Sequence, residues 1–179
     1  MAGNEISRRK FLKSMAVGTT GLLIFPQCSF QGRSSDWRFF TDEEAGLMEA
    51  IVEQIIPTDE WMGAKDAGVA NFIDKQLMGP LSRFQDKYKN GLKAFKATCK
   101  EIYDMPFEKL PWDEQTKFLT RLEKGEFFDE GSSFFRLVRD HTMAGYYGSP
   151  RHGGNKGYVS YRMIGLDYPV IEGQNRYDK

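Results

Sequence analysis

The sequence predicts an all-α fold, an irregular bundle of about five helices followed by a long C-terminal tail rich in Gly and Tyr. Three observations carry this expectation. Apolar residues recur at three- and four-residue spacing in several separate runs. Those runs are bounded by capping residues, Pro or Gly. No stretch alternates apolar and polar residues between hairpin turns, and no internal repeat is visible.

Residues 1–32 read as a leader and linker, and 33–179 as one helical domain. The first helix opens at Thr41-Asp42-Glu43-Glu44, where Thr41 caps an orphan amide and Glu44 reaches back to it. Leu47, Met48, Ile51, Val52, Ile55 and Ile56 then keep helical spacing until Pro57 stops the run. The acids at 42–44 are explained by capping and the helix dipole. After turn chemistry in "PTDEWMGAKDAG", Val69, Phe72, Ile73 and Leu77 form a shorter stripe that ends at Gly79-Pro80. A long third stripe follows through Leu81, Phe84, Tyr88, Leu92, Phe95, Cys99 and Ile102. Pro106 and Pro111 break the chain before a fourth helix over 115–124, with Phe118, Leu119 and Leu122 on one side and Gly125 as its C-terminal stop. Ser132 or Ser133 caps a fifth through Phe134, Phe135, Leu137, Val138 and His141. From Gly145 onward the chain has no long periodic element, and such a tail is expected to be functional or wrapped on a partner.

Composition sets bounds on function. With 40% hydrophobic and 28% charged residues, this is the make-up of a folded soluble domain rather than a disordered chain. Bases and acids number 25 each, and nothing in this balance argues for a nucleic-acid surface. Cys28 and Cys99 make no disulfide framework, and Cys99 reads as a small buried hydrophobe.

The N-terminal stretch "SRRKFLK" places Arg8, Arg9, Phe11 and Leu12 at the head of a weakly apolar run. Such an arrangement is the build of a twin-arginine export signal, addressed to the periplasm. The run of roughly 12 residues spans ~18 Å as a helix, too short for a bilayer core that needs about 20 residues. Cys28 sits in a poor lipoprotein box.

A search for chemistry finds no catalytic set. There is no Rossmann glycine fingerprint, P-loop, C-x-x-C, H-E-x-x-H or G-x-S-x-G. His141 and His152 are the only histidines, and the sequence gives them no metal-ligand companions. His141 falls on the apolar face of its helix, where a core histidine hydrogen-bonded to a neighbour is expected. His152-Gly153-Gly154-Asn155 is either a tight surface turn or an interface loop, since paired glycines admit close approach of another backbone.

The stretch from Phe39 through Leu77 resembles the opening of the gluconate 2-dehydrogenase subunit 3 family, also called the gamma or small subunit. The residues that carry the likeness are Ile56, Pro57, Asp59, Gly63, Ala64, Ala67, Gly68, Val69, Phe72, Ile73 and Asp74. A second block resembles the family's C-terminal region through His141, Gly145, Tyr146, Gly148, Pro150, His152, Gly153, Gly154, Asn155, Ile164 and Gly165. The chain departs from the family pattern at Tyr161, where Trp is frequent, and at Leu166-Asp167, which precede Tyr168-Pro169 and Val170.

The resemblance implies a non-catalytic small subunit of a hetero-oligomeric oxidoreductase. Its large partner would be a flavoprotein of the glucose-methanol-choline type that holds FAD and oxidises a sugar, sugar acid or glycoside. A third subunit would be a c-type cytochrome carrying haem c, and membrane association would come through the complex. The small subunit would escort, export and stabilise the large one, with Tyr146, Tyr147, Pro150, His152, Gly153, Gly154 and Asn155 as the partner-facing set. Two other classes stay open from the residues alone: a stand-alone periplasmic enzyme using His141 or His152, and a carbohydrate-binding module using the aromatic rings as stacking platforms.

Overall fold

The computed structural model describes residues 37–166. The leader residues Arg8, Arg9, Phe11 and Leu12, together with Cys28 and Tyr168-Pro169, lie outside the described residues. Six α-helices are present among the described residues, and none of these residues forms a strand: α1 Asp42–Ile55, α2 Val69–Leu77, α3 Gln85–Tyr103, α4 Trp112–Glu123, α5 Gly131–Tyr147 and α6 Val159–Met163. The fold is all-α, as the spacing predicts.

Local chemistry sets the helix ends. At α1, Glu44 N–H donates to Thr41 Oγ1 at 3.2 Å and Thr41 N–H donates to Glu44 Oε2 at 2.9 Å, the reciprocal capping box the sequence announces. α4 closes with Gly125 in the left-handed region at φ +75°. The Gly125 N–H donates to Leu122 O at 2.9 Å and the Glu126 N–H to Arg121 O at 3.1 Å, a Schellman pair that satisfies two orphan carbonyls.

Three expectations are corrected. The third stripe does not begin as an α-helix, because residues Ser82–Phe84 form a 3₁₀ turn before α3. At its far end Ile102 is 42% exposed, because α3 ends at Asp104, where φ is +53° and the chain turns away. α5 starts at Gly131, so Ser132 and Ser133 lie inside its first turn and neither caps it; Ser133 Oγ instead donates to Glu130 O at 2.9 Å. The tail, too, is more ordered than the sequence suggests. α5 runs on through Tyr147, and short 3₁₀ turns at Pro150–His152 and Lys156–Tyr158 lead into α6.

α5 is the central helix, packing against α1, α2, α3, α4 and α6. Two glycines allow that closeness. Gly91 of α3 sits against the Phe134 ring, and a Cβ at Gly145 would lie 2.7 Å from Phe72 Cδ1. Around this axis Leu47, Met48, Ile51, Ile73, Leu77 and Tyr88 are buried. A second aromatic cluster joins α3 to α4, with Phe95 ring centroids 5.0 Å from Phe107 and 4.8 Å from Phe118.

The segment before α1 is held by a residue that sequence reasoning passed over as a site. Asp74 on α2 is buried, and its carboxylate accepts the N–H groups of Arg38 at 2.8 Å, Phe39 at 2.8 Å and Phe40 at 2.9 Å. Burying a carboxylate is costly unless its oxygens are satisfied. Here three backbone donors satisfy them, which ties residues 38–40 onto α2.

Candidate functional site

The two sequence blocks that carry the family likeness meet in space. One is the α1–α2 loop and the start of α2; the other is the stretch that follows the end of α5.

The loop is organised by Glu53, near the end of α1. Its Oε1 accepts Thr58 N–H at 2.8 Å and the Thr58 hydroxyl at 2.7 Å, and its Oε2 accepts Lys65 N–H at 3.0 Å. Gly63 N–H then donates to Thr58 Oγ1 at 3.0 Å. A Cβ at Gly63 would stand 2.6 Å from the Glu53 carboxylate, so the loop needs glycine there.

The second block is stitched to the first by backbone groups. Lys156 N–H donates to Ala67 O at 3.0 Å, and Asn71 Nδ2 donates to Gly153 O at 3.1 Å. Gly154 lies directly against the Gly145 carbonyl and Phe72, leaving no room for a side chain. Asn155 is fully buried with φ +47°, a conformation Asn tolerates better than most residues. Its Nδ2 donates to Gly148 O at 2.8 Å and its Oδ1 accepts Ser160 N–H at 3.0 Å, so one side chain joins the end of α5 to α6. Tyr146 is buried as well, and its hydroxyl donates to Met62 O at 2.7 Å.

The seven residues expected to face a partner therefore divide into two sets. Tyr146, Gly154 and Asn155 are interior and fix the shape of the surface. Tyr147 and His152 are exposed, with Pro150 and Gly153 half-buried beside them. Between the blocks opens a shallow cleft of about 600 Å³, with Glu49, Lys65, Asn71, Pro150, Gly153 and Lys156 among its lining residues. Glu53, Asn71 and Asp74 were not singled out from sequence as functional or organising polar groups. Their partners lie 5 to 82 residues away along the chain, a separation that carries no local signal.

The histidines have separate surroundings. His141 is buried on α5, as its place in the apolar stripe predicts. Its Nδ1 lies 3.0 Å from the Tyr88 hydroxyl, with the two rings stacked at 5.9 Å and Phe84 edge-on at 5.3 Å. Burial pushes the Tyr88 phenol far above its ordinary range, so it stays protonated, and the direction of its bond to His141 follows the imidazole tautomer. Burial also lowers the His141 pKa, against an opposing pull from Asp140 and with a smaller push from Arg83. A neutral imidazole sealed beneath aromatic rings is a structural group. His152 is exposed on the tail, and no hydrogen bond or ring contact joins it to His141. Cys99 is buried, and burial, with Glu108 nearby, pushes its thiol up to about 11, which leaves it unreactive at neutral pH.

Among the described residues, no group of three or more His, Cys, Asp or Glu is placed to hold a metal ion. No helix among them is long and apolar enough to cross a membrane.

The family model for gluconate 2-dehydrogenase subunit 3 matches residues 42–167, a run that takes in all six helices and both blocks just described. Comparison with curated proteins returns no match, and comparison with solved structures returns none.

Proposed function

The chain belongs to the gluconate 2-dehydrogenase subunit 3 family, and from that premise we propose that it is the accessory subunit that escorts, exports and stabilises an FAD-dependent dehydrogenase. Membership of the family makes it a subunit of a gluconate 2-dehydrogenase complex, with partner subunits beside it. In this reading the principal partner is a flavoprotein of the glucose-methanol-choline type acting on a sugar, sugar acid or glycoside. FAD sits in that partner, and haem c in a cytochrome subunit. The complex works in the periplasm, carried there by the twin-arginine leader of this chain at Arg8 and Arg9 and held at the membrane through its other subunits.

The observation that carries the reading is the way both family blocks are spent on one fixed surface. Hydrogen bonds made by Asn71 and Lys156 lock the tail onto α2 and the α1–α2 loop, Asn155 braces it between Gly148 and Ser160, and Tyr147, Pro150, His152 and Gly153 are left at the surface. A rigid, preorganised surface suits a subunit contact, because little ordering cost remains when the partner docks. The twin-arginine address supports the same reading, since a route for folded proteins suits a passenger whose cofactor is loaded before export.

The test is cell fractionation with the chain and a co-encoded flavoprotein expressed together. Dehydrogenase activity should appear in the periplasmic fraction with the wild-type chain and stay in the cytoplasm when Arg8→Lys and Arg9→Lys are combined. Activity that reaches the periplasm without this chain would overturn the escort role.

A further inference from the structure

An exposed apolar patch lies beside the stitched tail, and of its six residues only Tyr147 and Ile164 are marked by the sequence. Met62 on the α1–α2 loop, Met143 and Tyr147 on α5, and Met163, Ile164 and Leu166 at the end of α6 are between 38% and 71% exposed. Tyr146 draws three of them together. Its hydroxyl donates to the Met62 carbonyl at 2.7 Å and touches Met163 Sδ at 3.5 Å, and its ring packs edge-on against Tyr147 at 5.0 Å. Met143 stands one helical turn before Tyr147 on the same side of α5.

At roughly 200 Å² for each fully exposed large side chain, these six leave about 550 Å² of apolar area open to water. That is near the top of the ~300–600 Å² range for the largest patch on a monomeric protein, and most of the ~800 Å² that each partner contributes to a standard interface. Methionine is the residue best able to repack against a partner surface, and three of the six are Met. Asp59 and Glu60 are exposed along the loop beside Met62, and Arg162 stands on the α6 side. A matching surface is therefore apolar at its centre, basic where it meets the loop and acidic where it meets Arg162.

We infer that this Met/Tyr patch is the apolar centre of the contact with the dehydrogenase subunit, and that the neighbouring His152 turn forms its polar rim. The inference rests on the escort reading above. An apolar centre ringed by polar groups is the make-up of a subunit contact, in which the buried centre is apolar and the rim polar.

The test uses the complete chain, tagged and co-expressed with the flavoprotein. Met143→Glu combined with Met163→Glu should cut the flavoprotein recovered with the chain at least tenfold, and Met78→Glu, on an exposed residue just beyond α2, should leave recovery unchanged. Tyr147→Ser should weaken recovery in the same direction, and it serves if the double variant fails to fold by circular dichroism. Full recovery with folded patch variants would overturn the inference. So would a wild-type homodimer split by Met143→Glu, since the patch would then belong to a second copy. A wild-type chain that captures no flavoprotein would instead overturn the escort reading itself.

Discussion

Replacing Asp74 by Ala removes the acceptor for three backbone N–H groups at once. Arg38 is exposed, so water can take over its bond. Phe39 and Phe40 are buried, and their N–H groups would be left without a partner. An orphaned buried donor costs about 1–3 kcal/mol, and bonds to a charged acceptor lie at the upper end. Two of them give an expected loss of roughly 3–5 kcal/mol, a large share of the ~5–15 kcal/mol typical of a domain. The loss also loosens Phe40, which packs on Phe39 at 5.2 Å and Tyr88 at 6.0 Å. Asp74→Asn keeps one acceptor oxygen and should cost about half as much. Urea unfolding followed by tryptophan fluorescence, with Trp37 one residue before the pinned segment, reads the change as a lower midpoint. The melting temperature should fall by about 10 °C for a domain of this size. If Asp74→Ala costs less than about 1 kcal/mol, the carboxylate is not what fixes residues 38–40, and the reasoning fails.

Thr41→Ala should cost about 1 kcal/mol by urea unfolding, because it breaks one arm of the capping box and leaves Glu44 N–H without its acceptor. Gly154→Ala forces a Cβ against the Gly145 carbonyl and should destabilise by about 1–3 kcal/mol, with faster proteolytic clipping after Tyr147 as the local readout. Stability should also respond to His141 protonation. Its folded pKa is held below the ordinary 6.5 by burial, so below pH 6.5 the unfolded chain takes up the proton first. That contribution is fully present above pH 6.5 and is lost as pH falls toward the folded value. Melting curves between pH 8 and pH 5 should therefore decline for the wild type, and a measurable part of the decline should vanish in His141→Phe.

Much of the architecture was legible because its causes are local. Thr41 with Glu44, the stop at Pro57 and the Gly125 terminus are each written within a few residues, and each appears in the structure as expected. The stripe Tyr88, Leu92, Phe95 and Cys99 is buried as its period requires. Local pattern misleads where tertiary contacts override local preference. No long periodic element is visible from Gly145 onward, yet α5 runs on to Tyr147, with Gly145 packed so closely beneath Phe72 that a Cβ would not fit. The Gly-rich tail reads as loop, yet Asn155 ties it to Gly148 and Ser160. Tyr146 reads as an available aromatic, yet its hydroxyl is committed to a carbonyl 84 residues away. Asp74 and Glu53 stand in apolar and amphipathic runs, and nothing adjacent in sequence announces that they organise distant backbone. The meeting of the two family blocks was likewise invisible before their long-range hydrogen bonds were known.

The most direct test of the account is to recover the tagged full-length chain from its own host under native conditions, record its absorption spectrum and identify the chains that accompany it. The account predicts a flavin spectrum and a dehydrogenase-sized chain in fixed proportion to this one. A colourless chain recovered alone, at the same expression level and with its melting transition intact, would contradict it.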